Sequence, residues 1–118
     1  MMKASDREKL RDFAASRARK SLLDYASVCD PVWKPTKFHR KIAEVLQQAV
    51  SGQGCKRWII CTPPQNGKSR LTCIDLTTWF LGHNPRKHVV IASYGLGLAE
   101  SSSVAARERF KHPMFQRT

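Results

Sequence analysis

Arg57-Trp58-Ile59-Ile60-Cys61-Thr62-Pro63-Pro64-Gln65-Asn66-Gly67-Lys68-Ser69, continued by Arg70 to Leu81, joins an apolar run to a turn and then to a helix-like stretch. That order is how a nucleotide phosphate-binding loop is built. Backbone N–H groups of such a loop converge on the phosphates, and the following helix adds its positive end, about half a unit charge. Lys68 is then the group that reaches the β- and γ-phosphates, and the Ser69 hydroxyl the one that holds Mg2+. The pattern implies that the chain binds ATP.

The general form of this loop is G-x-x-x-x-G-K-[ST], and the segment Thr62 to Ser69 departs from it at the first position, where Thr62 replaces glycine. Pro63 and Pro64 fix φ and carry no N–H. The donors must therefore come from Gln65, Asn66, Gly67, Lys68 and Ser69, with Arg70 beside them as a further nucleotide-side residue. Each charge-assisted hydrogen bond to phosphate contributes about 1.5–3 kcal/mol, so Lys68 and two or three amides suffice to hold a nucleotide. The competing explanation is an exposed turn before a helix, which Gly-Lys-Ser makes by chance in roughly a few per cent of chains this long.

Context favours the loop. Trp58 to Cys61 is a continuous apolar run of the kind found in strands buried on both faces, and His88-Val89-Val90-Ile91-Ala92-Ser93 repeats it after a helix-length gap. Strand, loop, helix and strand make a right-handed βαβ unit. The expected fold class is therefore α/β: a partial P-loop NTPase fold, with a parallel βαβ core and N-terminal helices. Two segments are expected, a basic helical segment with its connector over 1–35 and the ATPase portion over 36–118. A two-stranded parallel sheet has open edges and is too small to stand alone, so the chain reads as a fragment of a larger domain.

With 118 residues, there is room for one domain and one modest core. Lysine and arginine number 21 against 9 acidic residues, a net charge of +12, which favours a polyanionic partner, double-stranded DNA first. Lys3, Arg7, Lys9, Arg11, Arg17, Arg19 and Lys20 crowd the first helix. For any one of these, a solvated helix face is the simpler role. Cys29, Cys55, Cys61 and Cys73 have no C-x-x-C spacing, which argues against zinc or a disulfide framework and fits a reducing cytoplasm. Met1-Met2-Lys3-Ala4-Ser5-Asp6 has no signal-like apolar region, and no run is long enough to cross a membrane. His39, His83, His88 and His112 are scattered, and surface or capping roles suit them better than metal binding.

Ser5-Asp6-Arg7-Glu8 reads as a capping box, followed by helical spacing through Leu10, Phe13, Ala14, Ala18, Leu22 and Tyr25 to a stop at Asp30-Pro31. A second helix starts at Lys37 with an apolar stripe of Phe38, Ile42, Val45, Leu46 and Ala49, and its polar face carries Arg40, Lys41, Glu44, Gln47 and Gln48. A third is expected from about Leu98 to Phe110. ATP hydrolysis on a loop of this kind needs an acidic residue at the end of another buried strand. After the loop the acids are Asp75, Glu100 and Glu108, all in helical stretches, so no catalytic residue is assigned.

Taken together, these residues resemble the N-terminal part of the large terminase subunit of tailed bacteriophages, the motor that packages viral DNA. The likeness covers most of the chain. Trp33 to Arg40 is similar to that family's segment ahead of the ATPase core, which places Phe38 and His39 on the adenine side. Pro63-Pro64-Gln65-Asn66-Gly67-Lys68-Ser69 resembles its double-proline loop, and Val89 to Tyr94 with Leu98-Ala99-Glu100 its second strand and next helix. The resemblance implies ATP and Mg2+ as cofactors. It implies double-stranded DNA, a small terminase subunit and a portal protein as partners, a homo-oligomer in the full-length form, and the cytoplasm of a bacterial host. Gln65 stands where many relatives carry arginine, leaving Arg70, Arg107 and Arg109 as alternative cations for the γ-phosphate, and Asn66 stands where histidine is common. The family's acidic ATPase motif and nuclease lie beyond Thr118. Two other functions fit the residues: another loop-type DNA motor such as a helicase, and a non-catalytic, basic DNA-binding remnant.

Overall fold

The computed structural model describes residues 3–117. Met1 and Met2, which open the stretch lacking a signal-like apolar region, and Thr118 lie outside them. The described residues form α1 (Ala4–Lys20), α2 (Leu22–Cys29), α3 (Lys37–Val50), a π-helical segment Arg70–Asp75, α4 (Leu76–His83), α5 (Leu96–Phe110) and α6 (Pro113–Arg117).

The expected capping box is not used. α1 starts one residue before Ser5, with Lys3 in the cap position and no side chain closing it. The single helix expected up to Asp30 is also two helices. Ser21 is extended (φ −136°, ψ 121°), ending α1 and capping α2 through its hydroxyl, which accepts from the Asp24 N–H at 3.3 Å. Such a break exposes main-chain groups, and Gln47 of α3 satisfies two of them. Its Oε1 accepts from Leu22 N–H at 3.2 Å and its Nε2 donates to the Lys20 carbonyl at 2.8 Å. α3 begins at Lys37 as its apolar periodicity requires, but the buried stripe is His39, Ile42, Ala43 and Leu46, rotated so that Phe38 is left at the surface.

The α/β fold with a parallel βαβ core is overturned: the described residues contain helices and no strand. Residues 57–63 and 87–93 are irregular and form no strand ladder. The physical reason lies in what a buried parallel strand requires, namely hydrogen-bonded neighbours and cover on both faces. Neither run has a hydrogen-bonded strand neighbour. Ile59 is 92% exposed and Val90 88% exposed, so their apolar character does not mark burial. The second run instead lies against helices, where Val89 and Ile91 share a groove with Thr77 and Leu81 of α4 and Ala106 and Phe110 of α5.

The core sits where α1, α2 and α3 meet the π-helical segment. Ala18, Leu22, Tyr25, Ala26, Cys29, Ile42, Ala43, Leu46 and Leu71 form one buried cluster, with Leu23, Trp33, Ile60, Leu76, Trp79, Met114 and Phe115 packed on its rim. Polar links pin α4 to it. Tyr25 Oη donates to Thr78 Oγ1 at 2.9 Å, and Trp79 Nε1 donates to the Ala18 carbonyl at 2.9 Å. Burial pushes the Tyr25 phenol far above the ordinary tyrosine range, against the opposing pull of its bond to Thr78. It therefore stays protonated and remains a donor.

Candidate functional site

The turn that ends in Gly-Lys-Ser has a specific backbone shape. Gln65 (φ 64°) and Gly67 (φ 69°) both occupy the left-handed region, with Asn66 between them. This costs glycine little but a residue with a Cβ about 1–2 kcal/mol. A helix starts at once, with Leu71 N–H donating to the Gly67 carbonyl at 3.1 Å, and Thr72 Oγ1 fastens its first turn to the Lys68 carbonyl at 2.9 Å. The winding then loosens. Leu76 N–H bonds back to Leu71, one residue further than in an α-helix, a form that recurs at functional sites.

Amides at the start of a helix have no partner within it. Among the described residues, the N–H groups of Gln65 through Ser69 have no acceptor, and the side chains of Lys68 and Ser69 make no hydrogen bond or ion pair. Lys68 is half-buried and Ser69 exposed. The bend thus presents a run of free donors, one ammonium and one hydroxyl, a set that fits a triphosphate. No group of three or more His, Cys, Asp or Glu among the described residues is placed to hold a metal ion. Mg2+ at Ser69 would be held by the hydroxyl, water and the phosphates, as this reluctantly dehydrated ion prefers.

Behind the bend stands His39, buried at the start of α3. Its Nδ1 lies 3.1 Å from the Thr36 backbone N and 2.9 Å from Thr36 Oγ1, and its Nε2 lies 2.6 Å from the Asn66 carbonyl oxygen. Trp33 packs edge-on against His39, with ring centroids 5.1 Å apart. Its Nε1 lies 3.9 Å from where a Cβ on Gly67 would stand, and His39 Nε2 only 3.2 Å from it. The other adenine-side candidate, Phe38, is exposed, 5.5 Å from His39.

Arg70 is held by other groups. Its guanidinium lies over the Trp33 ring at 4.9 Å, pairs with Asp30 at 2.8 Å and reaches Asp75 at 3.4 Å. Asp75 is fully buried and also meets Arg109 at 2.9 Å. The two contacts to Asp75 are ion pairs without a directed hydrogen bond, which leaves both Asp75 oxygens and the Nε and Nη2 of Arg70 without a hydrogen-bond partner. Burial pushes the Asp75 carboxyl up, against the pull of Arg109 and Arg70. At Asp30, desolvation pushes upward but loses to the Arg70 charge and hydrogen bond and to two backbone amides, so its carboxyl titrates below the usual range. Of the three arginines considered for the γ-phosphate, Arg70 and Arg109 are thus engaged with carboxylates, while Arg107 is exposed on α5.

The structure brings His39 to Asn66 and Gly67 and engages Arg70 with Trp33, Asp30 and Asp75. Sequence reading missed Trp33, Asp30 and Asp75 as the groups that orient this region. Asp75 carried a signal, being an acid set among Ile74, Leu76 and other apolar residues. Asp30 carried none beyond its proline. No helix is long and apolar enough to cross a membrane, among the described residues. Comparison with family models, curated protein sequences and solved structures gave no match to this chain.

Proposed function

We propose that this chain is the ATP-binding part of a phage terminase large subunit, in which Gln65 to Ser69 hold the triphosphate of Mg-ATP to drive double-stranded DNA into a procapsid. The observation that carries the reading is the bend itself. Gln65 and Gly67 are left-handed there, and at the start of the helix the N–H groups of Gln65 through Ser69 have no acceptor among the described residues, with Lys68 and the Ser69 hydroxyl beside them. The double-proline form of the segment and the order Trp33–Arg40, Pro63–Ser69, Val89–Glu100 support the family. ATP and Mg2+ are the cofactors, and DNA, a small subunit, a portal and further copies of the chain are the partners. Catalytic residues are not assigned, because Asp75 is buried between arginines and Glu108 pairs with Lys111 at 2.9 Å.

Thermal melting with and without Mg-ATP tests this. Ligand at 100 times Kd adds about 2.7 kcal/mol to stability, and Lys68→Ala should abolish the gain. A Lys68→Ala protein stabilised as much as the parent removes the bend from the argument. The basic, non-catalytic DNA-binding reading is favoured by one observation, the withdrawal of Arg70 and Arg109 into carboxylate pairs. It expects DNA affinity that falls steeply with salt, without any response to nucleotide.

A further inference from the structure

We infer that His39 is a positioning residue for the phosphate-binding bend, a clamp between α3 and Asn66. The inference rests on the nucleotide reading above for what the bend does, not for how it is held. The partners fix the proton. The Thr36 main-chain nitrogen can only donate, so Nδ1 carries the lone pair that accepts from it at 3.1 Å. The Asn66 carbonyl can only accept, so Nε2 carries the hydrogen that spans 2.6 Å to it. His39 is therefore the neutral Nε2–H tautomer, with Nδ1 an acceptor facing the Thr36 N–H and hydroxyl and Nε2 a donor to Asn66.

Those two roles join elements that are 27 residues apart. Through Nδ1, His39 closes a reciprocal cap with Thr36 at the start of α3, in the third helical position where Glu or Gln usually serves. Through Nε2, it seizes the carbonyl between the two left-handed residues, Gln65 and Gly67. A strained bend persists only where its surroundings impose it. No other side-chain hydrogen bond to Asn66 or Gly67 is present among the described residues, and Trp33 Nε1 stands 3.9 Å from where a Gly67 Cβ would lie. Neither ring nitrogen is left over to read a base. On the adenine side, the exposed Phe38 ring is thus the surface offered for stacking.

Two substitutions separate the bonds. His39→Gln keeps both, since its amide oxygen can cap Thr36 and its amide nitrogen can donate to Asn66. His39→Glu keeps the cap but sets a carboxylate, an acceptor only, against the Asn66 carbonyl. The experiment reads three things: the His39 ring tautomer in the unaltered chain by 15N NMR, 15N relaxation over residues 64–69, and the Kd for Mg-ATP. Expected are a hydrogen-bonded Nε2–H resonance, a bend that loosens in His39→Glu and is restored in His39→Gln, and affinity about threefold to tenfold weaker in His39→Glu alone, the value of one hydrogen bond. An Nδ1–H tautomer, or a bend equally ordered in all three proteins, overturns the clamp, and the tautomer needs no variant to fold. If the unaltered chain binds Mg-ATP and His39→Glu binds it equally, the clamp falls and the nucleotide reading stands. If none binds while the relaxation responds as expected, the nucleotide reading falls and the clamp stands.

Discussion

Gly67 is where backbone and side-chain demands meet. Its φ of 69° suits glycine, and a Cβ there would stand 3.2 Å from His39 Nε2, tighter than a relaxed contact. Gly67→Ala should therefore cost the left-handed penalty, about 1–2 kcal/mol, and also push His39 off Asn66. Urea unfolding measures the first part, and loss of the His39 Nε2–H resonance the second. Alanine tolerated without change in either would mean the bend relaxes freely. A second expectation concerns acid. Asp30 is held below the usual carboxylate range because Arg70 favours its charged form. A depressed folded-state value contributes stability that is present above the ordinary carboxylate pKa, about 3.9, and is lost as pH falls through the lower folded value. Asp30→Asn should thus flatten the acid limb of the stability profile. An unchanged limb would show that the pair at 2.8 Å contributes nothing in solution.

Gln47 ties three helices to one another. Both of its amide bonds close main-chain groups left open where α1 gives way to α2. Gln47→Leu keeps the volume but strands the Leu22 N–H and the Lys20 carbonyl. Since unsatisfied groups cost about 1–3 kcal/mol each when buried and this site is half-buried, the lower part of that range is expected in denaturant melts. Gln47→Glu, which retains the acceptor, should fall between. This residue also shows what was legible in the sequence. The 3.6-residue period placed α3 from Lys37 and put Gln47 on its polar face, but no local pattern says that this face meets a helix break. The break itself was invisible because Ser21 sits inside unbroken apolar spacing from Leu10 to Tyr25. The two apolar runs misled for a related reason. A run such as Trp58 to Cys61 encodes a preference for burial, whereas a strand also needs a partner, and partners are set by tertiary contacts. The Gly67-Lys68-Ser69 turn was legible because glycine suits a left-handed position, whereas the hold of His39 on Asn66, 27 positions away, was not. The direction taken by Arg70 was not, since Asp30 lies 40 positions away.

The molecule as a whole is open for its mass. A compact monomer of 13.4 kDa exposes roughly 6,500 Å2 by the usual scaling, whereas this chain exposes 8666 Å2. Its radius of gyration, 15.0 Å, likewise exceeds the roughly 13.5 Å expected at this length. The excess is apolar in part: Val32, Ile59, Val90, Tyr94 and Leu96 are all largely exposed. The central cluster is correspondingly small, with Tyr25, Leu22 and Leu71 as its largest fully buried apolar side chains. Each such side chain contributes about 1.5–3 kcal/mol, against an ordering cost of about 1–2 kcal/mol for every residue's backbone. The net charge of +12 adds repulsion to that balance. The 118-residue chain alone should therefore melt with a weak, broad transition by circular dichroism and bind an apolar dye below it. Added salt should sharpen the transition by screening the cationic helices. A steep transition at high temperature, with no dye bound beforehand, would mean that these side chains find cover in solution and that the open shape is not the one the isolated chain adopts.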